Sequence, residues 1–109
     1  MELAKLETYT ENNRLEAKAA QGGLPQSVWE TISAFANTEG GAIVLGMRER
    51  KDGTLEAVGI RDADKMLDDF WNAAHSTDKL SYCIMADKDV RIESVDGKEL
   101  IVIEVPRAD

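Results

Sequence analysis

Two hydrophobic periods alternate along this chain, and each change of period marks an element. Arg14-Leu15-Glu16-Ala17-Lys18 alternates charged and apolar residues, the period-two pattern of a short half-buried strand. Leu15 and Ala17 are expected to face a core, with Arg14, Glu16 and Lys18 on the opposite side. Gln21-Gly22-Gly23 breaks the pattern. Pro25 suits a first helical turn, where its missing N–H costs nothing. Val28, Trp29, Ile32, Phe35 and Ala36 then fall at i, i+1, i+4, i+7 and i+8, one broad helical stripe that Gly40-Gly41 stops. Ala42 to Met47 carries no charge and reads as a strand buried on both faces. Arg48-Glu49-Arg50-Lys51-Asp52-Gly53 is a polar connection closing on Asp-Gly, and Leu55 to Ile60 is its partner strand.

The second half repeats this grammar. Asp62 or Asp64 can cap a second helix, whose positive end favours an acid. Met66, Leu67, Phe70, Trp71 and Ala74 form its apolar face, and Ser76-Thr77-Asp78 ends it. Strands at about 89–95 and 99–105 flank Asp96-Gly97, the signal for a type I′ turn. Residues 1–13 show no clear period, although Leu3 and Leu6 suit a short helical turn. The predicted order is β-α-β-β-α-β-β. The fold class is α+β (an α/β sandwich), with two helices packed on a mixed, largely antiparallel sheet.

Composition fits one domain spanning residues 1–109. Hydrophobic residues make up 43% and charged residues 31% of 109, values of a globular domain and not of a disordered tail. No apolar run approaches the roughly 20 residues of a membrane helix, and the N-terminus has no signal-peptide core. Cys83 is the single cysteine, which points to a reduced, cytoplasmic setting. The chain stops just after a strand at Val105, so an N-terminal domain of a longer protein is expected.

Charge complicates any reading that involves phosphate. The net charge is −8, and polyanion binding leans on Lys and Arg. Residues 1–53 hold 6 basic and 8 acidic side chains, whereas residues 54–109 hold 7 and 13. The acid is concentrated late, which leaves room for a basic surface early.

Chemistry is suggested first at the helix-to-strand junction. In Asn37-Thr38-Glu39-Gly40-Gly41 the glycines permit a tight turn and close backbone approach. Asn37 and Thr38 could contact a phosphate or a base; equally, the junction is a helix C-cap. No Gly-Lys-Ser/Thr follows, so it is not a Walker A loop.

The block Ser33-Ala34-Phe35-Ala36-Asn37-Thr38-Glu39-Gly40-Gly41, with its apolar strand to Gly46, resembles the central motif of the Schlafen AlbA-like family. Glu11-Asn12-Asn13-Arg14-Leu15-Glu16-Ala17-Lys18 is similar to that family's Glu-x4-Glu-Phe-Lys opening, with Ala17 replacing the aromatic residue. Val58-Gly59-Ile60 matches its Val-Gly-Ile segment, and the resemblance spans about residues 8–106. It implies a nucleic-acid-binding domain, with DNA as partner and RNA as the alternative. It also implies the context of bacterial proteins described as transcriptional regulators or helicase-related.

The resemblance further implies a metal-dependent alternative. In nuclease-active relatives two glutamates at this spacing join an aspartate three residues after the strand-ending glycine. The matching positions here are Glu11, Glu16 and Glu49, the last one methylene longer than aspartate. Three converging carboxylates could hold Mg²⁺ or Mn²⁺, with Lys18 beside a scissile phosphate. The simpler reading is a solvated face paired with nearby cations, needing no cofactor.

Arg48, Arg50 and Lys51 give the hairpin tip three positive charges, which could lie along a phosphate backbone or enter a groove; equally, the tip could be a solvated turn in which Glu49 and Asp52 offset them. The expected nucleic-acid contacts are therefore Arg14, Lys18, Asn37, Thr38, Arg48, Arg50 and Lys51. A protein-interaction module is the third reading, because the final hairpin leaves a sheet edge that a second copy could extend into a homodimer. Trp29 and Trp71 lie on helical stripes and are assigned to the core. One histidine and one distant cysteine make no zinc site.

Overall fold

A computed structural model describes residues 15–76 and 89–107. Its elements are β1 (Leu15–Lys18), α1 (Ser27–Ala36), β2 (Gly41–Leu45), β3 (Met47–Glu49), β4 (Leu55–Ala57), α2 (Ala63–Ser76), β5 (Val90–Val95) and β6 (Lys98–Val105). The main sheet has the order β1-β2-β6-β5, and β3 pairs with β4 in a separate two-stranded ribbon. Among the described strands only β1–β2 is parallel; the other pairs are antiparallel. This is the α+β class expected, with the two helices of the described residues on a mixed, mostly antiparallel sheet.

The uncharged strand β2 lies between β1 and β6, and both of its faces are covered. Ile43 pairs with Ile103 and Leu45 with Ile101. These four join Val28, Trp29 and Ile32 of α1 and Met66 and Phe70 of α2 in one buried cluster. Trp29 stacks on Phe70 with centroids 5.1 Å apart, linking the two helices. Val44 pairs with Val102 on the opposite face. There they meet Met47 and Leu100, flanked by Leu15, Ala17, Leu55 and Ala57. Each buried aliphatic side chain contributes about 1.5–3 kcal/mol, so a polar residue in β2 has no face to occupy.

The ends of α2 follow from local chemistry. The Lys65 amide donates to Asp62 Oδ1 at 3.1 Å, so Asp62 is the cap. Asp96 and Gly97 have φ of 53° and 77°, the paired positive values of a type I′ turn, and Val95 pairs with Lys98 across it.

One boundary differs. The apolar run Ala42 to Met47 is divided at Gly46, whose φ is 90°. The Gly46 amide donates to the Lys18 carbonyl at 2.8 Å, and its own carbonyl accepts from Val58 and Gly59 at 2.8 and 2.9 Å. The chain therefore leaves the main sheet at Gly46, and Met47 opens the ribbon. The partner strand ends at Ala57, not Ile60, because the next two amides turn to Gly46 instead of a ladder. Leu3, Leu6, Glu11, Arg14 and Cys83 lie outside the described residues. Among the described residues no helix is long and apolar enough to cross a membrane.

Candidate functional site

The β3–β4 ribbon has an inner and an outer face. Met47 pairs with Ala57 and Glu49 with Leu55; Arg48 pairs with Glu56. Met47, Leu55 and Ala57 pack on the second face of the main sheet, so the pleat turns Arg48 and Glu56 outward. Arg50 and Thr54 continue that outward row, joined by an Arg50 N–H to Thr54 carbonyl bond of 2.7 Å.

Both arginines converge on Glu56. Arg48 Nε donates to Glu56 Oε1 at 3.2 Å, and its Nη2 donates to the same oxygen. Arg50 Nη2 lies 3.6 Å from Glu56 Oε2, while its Nη1 donates to Thr54 Oγ1 at 3.2 Å. The Thr54 hydroxyl in turn donates to Asp52 Oδ1 at 2.6 Å, and the Thr54 amide to the same oxygen at 3.0 Å. The hydrogen bond from Arg48 holds the Glu56 carboxyl below its ordinary range. The Thr54 hydroxyl, then its amide, does the same for Asp52. Lys51 is exposed, and its side chain has no partner among the described residues.

Sequence reasoning located these cations and offered Glu49 and Asp52 as their counter-charge. It missed Glu56. Register counted outward from a three-residue loop, Lys51-Asp52-Gly53 closed by Arg50 and Thr54, places Glu56 opposite Arg48, whereas a two-residue Asp52-Gly53 turn would have put Ala57 there.

The remaining candidates lie elsewhere. Glu16 pairs with Ile43 and Lys18 with Leu45, so both rise from the helix-bearing face, whereas the ribbon packs on the other. Lys18 Nζ donates to Ser27 Oγ at 3.0 Å, at the start of α1. Asn37 and Thr38 are exposed at the end of α1, and β2 separates them from the ribbon by about 15 Å. Thr38 Oγ1 donates to the Ala34 and Phe35 carbonyls at 3.0 and 3.1 Å, closing the helix end. Arg48, Arg50 and Lys51 are thus brought together, while Lys18, Asn37 and Thr38 stand apart.

Of the three glutamates, Glu11 falls outside the described residues. Glu49 is exposed and follows the pleat of Met47 and Leu55, away from Arg48, whereas Glu16 rises from the helix-bearing face of the main sheet. Among the described residues no three His, Cys, Asp or Glu side chains gather as a metal-binding group. A cleft of about 680 Å³ opens between the β1–α1 loop, the start of α2 and the β5–β6 turn. Its cations Arg61, Lys65 and Lys98 stand among Asp62, Asp69 and Glu99, and Lys65 is paired with Asp69 at 3.0 Å.

Comparison with known proteins adds two findings. The family model described as Schlafen, AlbA_2 matches residues 11–109. A solution NMR structure from Nitrosomonas europaea superimposes with a TM-score of 0.70 and 33% identity, covering 94% of this chain and 72% of that one. It is the N-terminal domain of a protein named as related to the ATP-dependent DNA helicase RecG. No match is found among functionally curated proteins. With the motif from Ser33 to Gly46, this fold and a family match along nearly its whole length, the chain belongs to the Schlafen AlbA_2 family.

Proposed function

We propose that this chain is a nucleic-acid-binding domain that takes DNA on the outer face of the β3–β4 ribbon, as part of a larger regulator-type protein in the cytoplasm. The observation that carries the reading is the convergence of Arg48, Arg50 and Lys51 on one exposed ribbon in a chain of net charge −8. Guanidinium groups suit phosphate oxygens because their N–H groups form a planar fork. A two-stranded ribbon is also narrow enough for the major groove of B-DNA. The similarity to a domain from a DNA-helicase-related protein supports the same ligand.

The acidity bounds the affinity. Few phosphates can be neutralised, so binding belongs near the weak, non-specific range of roughly 10⁻⁴–10⁻⁶ M. Fluorescence anisotropy with a labelled duplex tests this at several salt concentrations. The expected result is binding at low salt that weakens as salt rises, and that falls when Arg48, Arg50 and Lys51 are replaced together by Gln. Absence of low-salt binding by folded protein, or indifference to that triple change, removes the proposal. A parallel incubation with Mn²⁺ and a Glu16→Gln control tests cleavage through the glutamates.

A further inference from the structure

We infer that Glu56 sets the strength and selectivity of the ribbon, occupying the guanidinium sites of Arg48 and Arg50 that a backbone phosphate would take. The inference rests on the DNA-binding reading above and assigns a role within that surface.

Geometry comes first. The Glu56 carboxylate presents two oxygens and engages both arginines, Oε1 toward Arg48 and Oε2 toward Arg50. A phosphate group approaching the same row meets the same donors. Two anions cannot share them without repulsion at hydrogen-bonding distance, so DNA must displace the carboxylate or bind beside it. Arg48 and Arg50 remain 59% and 50% exposed, so phosphate can reach them. Glu56 is tied to β4, whose inner residues are packed on the sheet, and cannot withdraw far.

Charge makes the effect large relative to the surface. From Met47 to Ala57 the ribbon holds Arg48, Arg50 and Lys51 against Glu49, Asp52 and Glu56, a formal sum of zero. Asp52 is committed to the turn through Thr54. Glu49 has no side-chain partner among the described residues and lies on the inner pleat. Glu56 is therefore the acid that suppresses the outward arginines. The arrangement disfavours an isolated anion that offers a single phosphate. It admits a ligand that presents several phosphates at once, whose combined contacts can replace one carboxylate.

The test uses the purified chain and a labelled duplex of random sequence, comparing wild type, Glu56→Gln, Arg48→Gln/Arg50→Gln and the triple combination. Gln keeps an oxygen for the arginines but removes the charge. Thermal melts confirm that the variants, all on the outer face, stay folded. Glu56→Gln is expected to bind roughly three- to tenfold more tightly at low salt. Its log–log salt slope should steepen by about one phosphate contact. The triple combination should bind no more tightly than the double arginine variant.

Equal or weaker binding by Glu56→Gln, with the double arginine variant also weakened, overturns the role of Glu56 and leaves the DNA-binding reading standing. A gain of the same size in the triple combination also overturns it, because the effect would then be net charge alone. Indifference of binding to the arginines removes both readings.

Discussion

Gly40 and Val105 approach so closely that a β-carbon on Gly40 would stand 2.6 Å from the Val105 carbonyl oxygen. Gly40 also has φ of 81°, and its amide donates to the Phe35 carbonyl at 2.8 Å, closing α1. The turn that ends the helix is thus pressed against the last strand of the sheet. Gly40→Ala meets both a left-handed backbone penalty of about 1–2 kcal/mol and a backbone clash. The expected loss is about 2–4 kcal/mol in urea denaturation. A loss below about 0.5 kcal/mol contradicts the close approach.

Phe70 carries the contact between the helices. It is fully buried, stacks on Trp29 and meets Trp71 edge-on with centroids 5.2 Å apart. Phe70→Ala should cost about 3–5 kcal/mol. It should also change the tryptophan emission of the native state, because both indoles lose a neighbour. An unaltered native spectrum would show that these rings do not pack together.

Asp62 caps α2 through the Lys65 amide. Asp62→Ala is expected to cost about 1 kcal/mol, and Asp62→Asn considerably less, since the amide oxygen can still accept. Equal losses for the two would assign the effect to charge and not to the cap.

Much of this fold is legible in the sequence because its local signals agree with its packing. The stripes of α1 and α2 and the Asp96-Gly97 turn all stand where the pattern puts them. The bend at Gly46 is not legible: the apolar run continues through Met47, and the turn depends on Val58, Gly59 and Lys18, distant in the chain. The face of β1 is ambiguous for a related reason. The sheet is apolar on both sides, so Leu15 and Ala17 find one core while Glu16 and Lys18 edge the other. At the candidate site the cations were legible as composition, but their pairing was a matter of strand register.

Acid should loosen the ribbon. The carboxyls of Glu56 and Asp52 are held below their ordinary values of 4.5 and 3.8 by the Arg48 and Thr54 hydrogen bonds respectively. The unfolded chain therefore binds protons first as pH falls. Their stabilisation is present above the unfolded values and is lost as pH drops through the lower folded ones. Asp52 is exposed and Glu56 only half-buried, so the effect is small. Glu56→Gln should flatten the decline of stability below about pH 4.5, measured by urea denaturation across that range. A decline as steep as wild type would show that the Arg48–Glu56 pair does not persist in solution.

The packing of the ribbon decides whether its charges act as a unit. Leu55 is half-buried against the cluster of Val44, Met47, Leu100 and Val102 and lies directly opposite Glu49. Leu55→Ser keeps every charge but removes apolar contact between the ribbon and the sheet, at a cost of about 1–3 kcal/mol. The main core around Trp29 and Phe70 belongs to a separate cluster and should keep its tryptophan emission. DNA affinity should nevertheless fall several-fold, because Arg48 and Arg50 would no longer be held in one outward row and would have to be ordered on binding. Unchanged affinity in this variant would mean that the cations act only through their charge. The ribbon would then be a tether for lysine and arginine, not a shaped surface.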